Sequence, residues 1–180
     1  MPVPDDSMKE KFVSEDLRDA LRWLFVGAVT WEASRSQPHR CENQDVLGMF
    51  ASLTQARALY EFFYGTKEQG DDARACHFAS AWKPDKTDLY RRYMAARKPA
   101  NKRLFHLVYN RASHAGGSGH DGPDHLKNQV LNFAKDLRGL TEQFAASVHT
   151  NFRGGVRHAL QKALEEAKFA ADHYGIATPL

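Results

Sequence analysis

The sequence predicts an all-α protein, a single bundle of about five to six helices. Apolar residues recur at three- and four-residue steps along most of the 180 residues, which is the spacing of one helix face. No stretch alternates between apolar and polar residues as a half-buried strand does, and proline and glycine clusters separate the periodic stretches. Hydrophobic residues make up 42% and charged residues 26%, which is typical of a soluble globular domain. Residues 7–180 are expected to form one helical domain, because this length is short for two cores.

The first helix is predicted to follow a loose, flexible tail of residues 1–6, which contains two prolines. Asp6 or Ser7 is suited to cap this helix, because short polar side chains accept hydrogen bonds from free backbone N–H groups. An apolar stripe then extends to Trp31, and residues 34–38 end the helix.

The second helix is predicted over residues 41–64. Its apolar surface is wider than one face, which favours a central position in the bundle. A short helix is expected over residues 73–79. Pro84 prevents its continuation, and the next helix begins at Asp88 and breaks before Pro99.

The most regular pattern in the chain lies near its C-terminal end. Apolar residues follow one another there at steps of four and three, namely Leu126, Val130, Phe133, Leu137, Leu140, Phe144 and Val148. A near-heptad stripe of this kind packs along a neighbouring helix, either in the same chain or across a dimer. Residues 152–155 (FRGG) are predicted to break the chain before a last helix over residues 156–174.

A basic helix is predicted within residues 99–117 (PANKRLFHLVYNRASHAGG). Lys102, His106 and Asn110 lie at four-residue steps on one face, whereas Leu104 points towards the core. Cations beside a histidine lower its pKa, which keeps it neutral near pH 7 and able to accept a proton. Lysine and arginine side chains also hold phosphate groups. This face therefore has the parts of a metal-independent ribonuclease site, and the alternative is a solvated basic face with a histidine at its edge.

Three stretches resemble a group of bacterial proteins in the HEPN superfamily, small helical domains frequent in toxin–antitoxin and abortive-infection systems. They are residues 55–65 (QARALYEFFYG), 71–82 (DDARACHFASAW) and 101–111 (NKRLFHLVYNR). The resemblance implies a homodimer in which two Arg-x(4–6)-His motifs form one cleft for RNA cleavage. In this chain Asn101 stands where that motif has arginine. Either Lys102 or Arg103 then supplies the missing charge, or the site is a non-catalytic relic that binds RNA, a nucleotide or nothing.

Two sets of candidate site residues follow. The first has His106, Lys102, Arg103 and Asn101 as catalytic residues and Asn110, Arg111 and His114 as substrate-binding residues. The second is the pair Arg153 and His158, because four residues separate them as in an Arg-x(4)-His motif. The glycines between these two residues are expected to interrupt the helix that would fix their geometry.

No metal or cofactor is expected. His114, His120 and His125 crowd around a glycine-rich loop, residues 115–124, but none of them has the close, defined pairing of zinc ligands. This segment is predicted to be a flexible loop. The two cysteines form no CxxC pair and predict no disulfide framework.

The sequence thus predicts a cytoplasmic, HEPN-like protein that is a metal-independent ribonuclease or an RNA-binding component of a bacterial defence or toxin–antitoxin system. Its expected partners are RNA, a second copy of the chain and an antitoxin-like protein. No membrane contact is expected, because the longest apolar run, residues 23–29, is far too short to cross a bilayer.

Two alternatives stay open. One is a non-catalytic helical dimerisation or binding module with a degenerate site. The other is a small-ligand-binding bundle, suggested by an excess of aromatic residues that more often form a core, namely Phe50, Tyr60, Phe62, Phe63 and Trp82.

Overall fold

Helices form all the regular structure in the computed structural model, which describes residues 5–36, 42–65, 73–100 and 128–180. They are α1 (Asp6–Lys11), a π-helical turn (Phe12–Leu17), α2 (Arg18–Ser36), α3 (Glu42–Tyr64), a 3₁₀ turn (Ala75–His77), α4 (Asp88–Ala100), α5 (Val130–Ser147) and α6 (Thr150–His173). No strand occurs in these four ranges, so the prediction of an all-α helical bundle is confirmed.

The N-terminal helix begins inside the segment predicted to be a loose tail. Asp5 is its N-cap, and the Asp5 side chain accepts a hydrogen bond from the backbone N–H of Met8 at 2.8 Å. The predicted caps, Asp6 and Ser7, were therefore wrong, because both residues lie within α1. α1 continues through the π-helical turn into α2, so residues 6–36 form one continuous helical rod.

α2 packs against α3, α5 and α6, and it crosses α3 with the two backbones in contact. A Cβ atom added to Gly27 would lie 2.7 Å from the backbone oxygen of Gly48, and one added to Gly48 would lie 2.9 Å from that of Gly27. Only glycine permits this approach, because any side chain would meet the opposing backbone. Phe12 stacks on Phe62 with ring centroids 5.2 Å apart. Since the start of the rod thus meets the end of α3, whereas Gly27 meets Gly48, the two run antiparallel.

α6 runs through the two glycines at which the chain was predicted to break, so that prediction was wrong. Phe152 and Val156 on either side of them are buried in the core. A Cβ atom added to Gly155 would lie 2.9 Å from Cγ1 of Val13, so this glycine lets α6 approach the π-helical turn. Burial of an apolar face contributes more to helix stability than local propensity does, which explains why the helix tolerates residues 152–155.

α4 also extends further than predicted, because it continues through Pro99 to Ala100. A proline in the last turn removes one backbone hydrogen bond and leaves the preceding turns intact. The start of α4 at Asp88 is confirmed. The short helix predicted between α3 and α4 is a single 3₁₀ turn, Ala75–His77.

α5 carries the regular apolar stripe that the sequence predicted. Its members are at most 2% exposed, namely Val130, Phe133, Leu137, Leu140, Phe144 and Val148. Leu126 lies outside the described residues. The stripe joins one hydrophobic core with side chains of α2, α3 and α6. In the part of the chain that the structure describes, every helix is too short or too polar to cross a membrane.

Candidate functional site

The preferred candidate site of the sequence lies outside the described residues. This applies to all of its members, namely Asn101, Lys102, Arg103, His106, Asn110, Arg111 and His114, and to the glycine-rich loop, residues 115–124. The helix that leads into this segment, α4, and the helix that follows it, α5, are described. The structure therefore describes the chain before and after the predicted site.

The second candidate pair, Arg153 and His158, lies on α6. The helix between these residues is unbroken, yet five residues correspond to a rotation of about 140°, so the two side chains leave the helix on different sides. Arg153 donates a hydrogen bond from its guanidinium group to the backbone oxygen of Ala146 at 3.2 Å, near the end of α5. His158 is exposed. The structure does not bring this pair together as a site.

A cluster of four tyrosines lies where α3, α4 and α5 meet. This tyrosine cluster consists of Tyr60, Tyr64, Tyr90 and Tyr93. The rings of Tyr64 and Tyr90 stack with centroids 4.1 Å apart and planes inclined by 30°. Tyr60 and Tyr93 are buried, whereas Tyr64 and Tyr90 are half-buried and reach the surface. The cluster therefore has a buried half and a half that meets solvent.

Asp136 of α5 anchors one tyrosine of the cluster directly and a second one through Thr87. Its Oδ2 atom accepts hydrogen bonds from the Tyr60 hydroxyl at 2.7 Å and from the Thr87 hydroxyl at 2.9 Å. The Thr87 hydroxyl oxygen in turn accepts a hydrogen bond from the backbone N–H of Tyr90 at 3.0 Å. One carboxylate thus connects α5 to α3 and to the start of α4.

Burial raises the pKa of Tyr60 far above its ordinary value, and the hydrogen bond to Asp136 raises it further. The phenol therefore stays protonated over the whole physiological range. In that state it donates a hydrogen bond and does not act as a base or a nucleophile. Burial also raises the pKa of Tyr64. Tyr60 and Tyr64 thus present neutral phenols, and the Asp136 carboxylate accepts the hydrogen bond of Tyr60.

Exposed cations are neighbours of the tyrosine cluster in the sequence, and one of them lies over a ring of the cluster. Lys83, Lys86, Arg91 and Arg92 are all exposed, and Lys86 Nζ lies over the Tyr90 ring at 6.0 Å from its centroid. In the sequence, residues 83–111 contain nine lysines and arginines against two aspartates. The remaining residues contain 16 lysines and arginines against 20 aspartates and glutamates, so the positive charge of the chain is concentrated in this one stretch.

A second surface feature, the α2–α6 groove, lies between α2 and α6. It has a volume of about 340 Å³ and is lined by Arg22, Trp23, Val26, Glu165, Glu166, Phe169 and Ala170. Trp23 is 47% exposed and Phe169 is 77% exposed, although both are large and apolar. An exposed pair of large aromatic side chains in one groove is typical of a contact surface for another macromolecule.

Charged side chains of both signs rim this groove. Arg22 forms an ion pair with Glu166, and its guanidinium group lies over the Trp23 ring at 5.2 Å. Lys162 pairs with Glu165 at 2.7 Å, and this hydrogen bond is the largest cause that lowers the pKa of Glu165. The rim therefore presents two positive and two negative side chains.

The aromatic residues that suggested a ligand-binding bundle lie in the core. Tyr60, Phe62, Phe63 and Trp82 are each at most 9% exposed, and Phe50 packs against the core from a partly buried position. Among the described residues, no group of three or more His, Cys, Asp and Glu side chains is placed to hold a metal ion. The expectation that these aromatics form a core is confirmed.

Sequence reasoning missed both described surface features. Asp136 lies between Phe133 and Leu137 at the edge of an apolar stripe, and a carboxylate at such a position is the one signal that could have identified it. Trp23 falls outside the apolar stripe that contains Leu17 and Leu24, which is the signal for an exposed tryptophan. No local pattern indicates that Trp23 and the distant α6 share a groove.

Comparisons with known proteins find no family model, no curated protein and no solved structure that matches this chain. The HEPN resemblance therefore rests on the sequence stretches quoted above.

Proposed function

We propose that this protein is an HEPN-like RNA-binding protein that contacts RNA phosphates through residues 83–111. The observation that carries the proposal is the concentration of nine cations in this stretch, of which Lys83, Lys86, Arg91 and Arg92 are exposed in the described part. Neutralising phosphates releases condensed counterions, and this release drives sequence-independent binding of nucleic acid. The proposed biological setting is a bacterial defence or toxin–antitoxin system, in which an acidic antitoxin-like protein would compete for the same cations.

RNA cleavage is the activity we propose for the same stretch. His106 removes the proton of a ribose 2′-hydroxyl, and the 2′-oxygen bonds to phosphorus as the bond from phosphorus to the 5′-oxygen breaks. The leaving 5′-oxygen takes a proton from water, and the products are a 2′,3′-cyclic phosphate and a free 5′-hydroxyl. Lys102 and Arg103 stabilise the negative charge that develops on the phosphate.

RNA binding is tested with the double variant Arg91→Glu/Arg92→Glu and a fluorescein-labelled single-stranded RNA. We expect the Kd in 100 mM salt to rise at least about tenfold and the slope of log Kd against log salt to fall by about 2, or about 1 for each arginine. The matched control is Arg157→Glu/Lys168→Glu, which makes the same charge change at exposed positions of α6 and should change the Kd much less. Equal Kd values for the two double variants contradict the proposed binding surface.

RNA cleavage is tested separately, in the presence of EDTA, with the variants His106→Ala and His158→Ala. We expect the wild-type chain and His158→Ala to cleave and His106→Ala to be inactive. Cleavage by all three proteins, or by none, contradicts catalysis by His106. Absence of cleavage by all three proteins leaves the proposed RNA binding intact, because the salt-dependent binding is measured independently.

The α2–α6 groove favours a second candidate function, that of a non-catalytic homodimerisation module. The proposed occupant of the groove is a second copy of this chain. A two-fold contact places the same patch on both copies, and a rim with both signs of charge is complementary to itself. Trp23 and Phe169 would then be buried at the centre of the contact, where aromatic side chains contribute most to affinity.

Dimerisation is tested by light scattering after size-exclusion chromatography over a range of protein concentrations. Phe169→Asp is expected to give a monomer at concentrations where the wild-type chain is a dimer. The matched control is Leu47→Asp, which places the same charge at a residue that is 69% exposed outside the groove. A wild-type chain that is monomeric at every concentration contradicts this second function.

A further inference from the structure

The Tyr64–Tyr90 stack is a partly exposed aromatic surface with an exposed cation, Lys86, over one of its rings, and Tyr90 lies within residues 83–111, where the net positive charge of the chain is concentrated. Its two rings are half-buried, whereas Tyr60 is 1% exposed and Tyr93 is 4% exposed. The Trp23 and Phe169 rings of the α2–α6 groove face a rim of balanced charge instead. The stack is therefore the place where an aromatic face and a phosphate-binding group would meet the same ligand.

The stack is fixed in place before any ligand binds. The Tyr64 hydroxyl donates a hydrogen bond to the backbone oxygen of Asp85 at 3.0 Å, so the ring is held at both ends. Tyr90 is held by the hydrogen bond from its backbone N–H to the Thr87 hydroxyl, which Asp136 anchors. Tyr60 also meets the Tyr90 ring edge-on at 5.5 Å between centroids. A rigid aromatic face loses little conformational entropy when a flat ligand stacks on it.

Lys86 occupies the position that a phosphate-binding group would need. Its ammonium group lies over the Tyr90 ring, 6.0 Å from the centroid, and its side chain is exposed. An exposed lysine in this contact is easily displaced, because a cation–π contact in water stabilises by less than the stacking of a base. The displaced ammonium group remains within reach of the phosphate next to that base.

We propose that the Tyr64–Tyr90 stack is a binding platform for an unpaired nucleobase of single-stranded RNA, with Lys86 on the adjacent phosphate. The inference rests on the proposed RNA binding and names the form of RNA that is bound. Single strands are favoured because their bases are unpaired and can lie on aromatic side chains. The bases of a duplex are paired and stacked on one another, so their faces are not accessible. Cations alone would bind both forms of RNA through phosphate.

The test compares Tyr90→Leu with Tyr90→Phe, using a fluorescein-labelled 12-nucleotide RNA as a single strand and as a duplex. Leucine keeps apolar contacts but has no aromatic face, so the Kd for the single strand should rise about tenfold, whereas phenylalanine should leave it within about twofold. The Kd for the duplex should not respond to either substitution. Tyr64→Leu repeats the test from the second ring, and thermal unfolding followed by circular dichroism shows that each variant is folded.

The results separate this inference from the proposed function. If Tyr90→Leu and Tyr64→Leu bind the single strand as the wild type does while Arg91→Glu/Arg92→Glu binds it weakly, the stacking platform is overturned and RNA binding stands. If the leucine variants lose single-strand and duplex affinity equally, stacking is also overturned. If the wild-type chain binds neither RNA in 100 mM salt, the proposed function itself fails.

Discussion

The tyrosine cluster and the α2–α6 groove both bring aromatic side chains to the surface, but they hold them in different ways. In the cluster, hydrogen bonds to Asp136 and Asp85 fix the rings, and half of the cluster is buried. In the groove, no hydrogen bond from a described residue fixes the Trp23 or Phe169 ring, and the charged side chains at the rim are tied to one another on exposed positions. We therefore expect substitutions in the cluster to reduce stability and substitutions in the groove to change association with little loss of stability.

The sharpest contrast is expected for Asp136→Ala. This change removes the acceptor of the Tyr60 and Thr87 hydroxyls and leaves a buried phenol without a partner, which should lower the free energy of unfolding by about 2–3 kcal/mol. Urea unfolding followed by circular dichroism measures the effect. Asp136→Asn keeps one oxygen acceptor, so its free energy of unfolding should fall clearly less than that of Asp136→Ala. Asp172 is exposed, and Asp172→Ala should change the free energy of unfolding by less than about 0.5 kcal/mol. If Asp136→Ala lowers the free energy of unfolding no more than Asp172→Ala does, hydrogen bonds do not stabilise the cluster, and the contrast with the groove is wrong.

High pH should destabilise the cluster through Tyr60. Its pKa is raised in the folded chain, while in the unfolded chain it titrates near 10, so its contribution is complete below pH 10 and is lost as the pH rises beyond that value. Between pH 10 and 11.5 the wild-type free energy of unfolding should fall more steeply than that of Tyr60→Phe, by up to about 1.4 kcal/mol per pH unit. Urea unfolding at several pH values gives both slopes. Equal slopes would mean that Tyr60 ionises as easily in the folded chain as in the unfolded one.

The smallest effect on stability is expected in the groove, for Phe169→Ser. Because this side chain is 77% exposed, its removal should change the free energy of unfolding by no more than about 0.5 kcal/mol. The same urea experiment measures it, with Phe133→Ser at a fully buried position as the control that should lose several kcal/mol. A loss above about 1.5 kcal/mol for Phe169→Ser would show that the groove is part of the folding core and not a contact surface.

The sequence predicted the helices well where one apolar stripe decides the structure. The stripe from Val130 to Val148 along α5 is buried as its spacing predicted. The reason is that a helix with one regular apolar face removes it from water by turning that face towards the core. Two of the errors, at Pro99 and Gly155, occur where local propensity opposes the helix. Propensity is a difference of about 1 kcal/mol for glycine, which the burial of Phe152 and Val156 outweighs.

The site was less accessible to sequence reasoning than the fold. The Tyr60–Asp136 hydrogen bond joins residues that are 76 positions apart, and no local pattern connects them. Arg153 and His158 match the spacing of a motif, yet on a continuous helix that spacing directs their side chains apart. The prediction at His106 stands on the sequence alone, because His106 lies outside the described residues.

The sequence by itself determined that this chain is helical, where most helices lie and that its positive charge is concentrated in residues 83–111. These properties depend on the spacing and number of side chains along one segment. Only the tertiary structure decided that Gly155 lies against Val13, that Asp136 connects three helices and that Trp23 and Phe169 share a groove. The physical reason is that such contacts depend on how distant helices cross, which is set by the burial of the whole core and not by any one stretch.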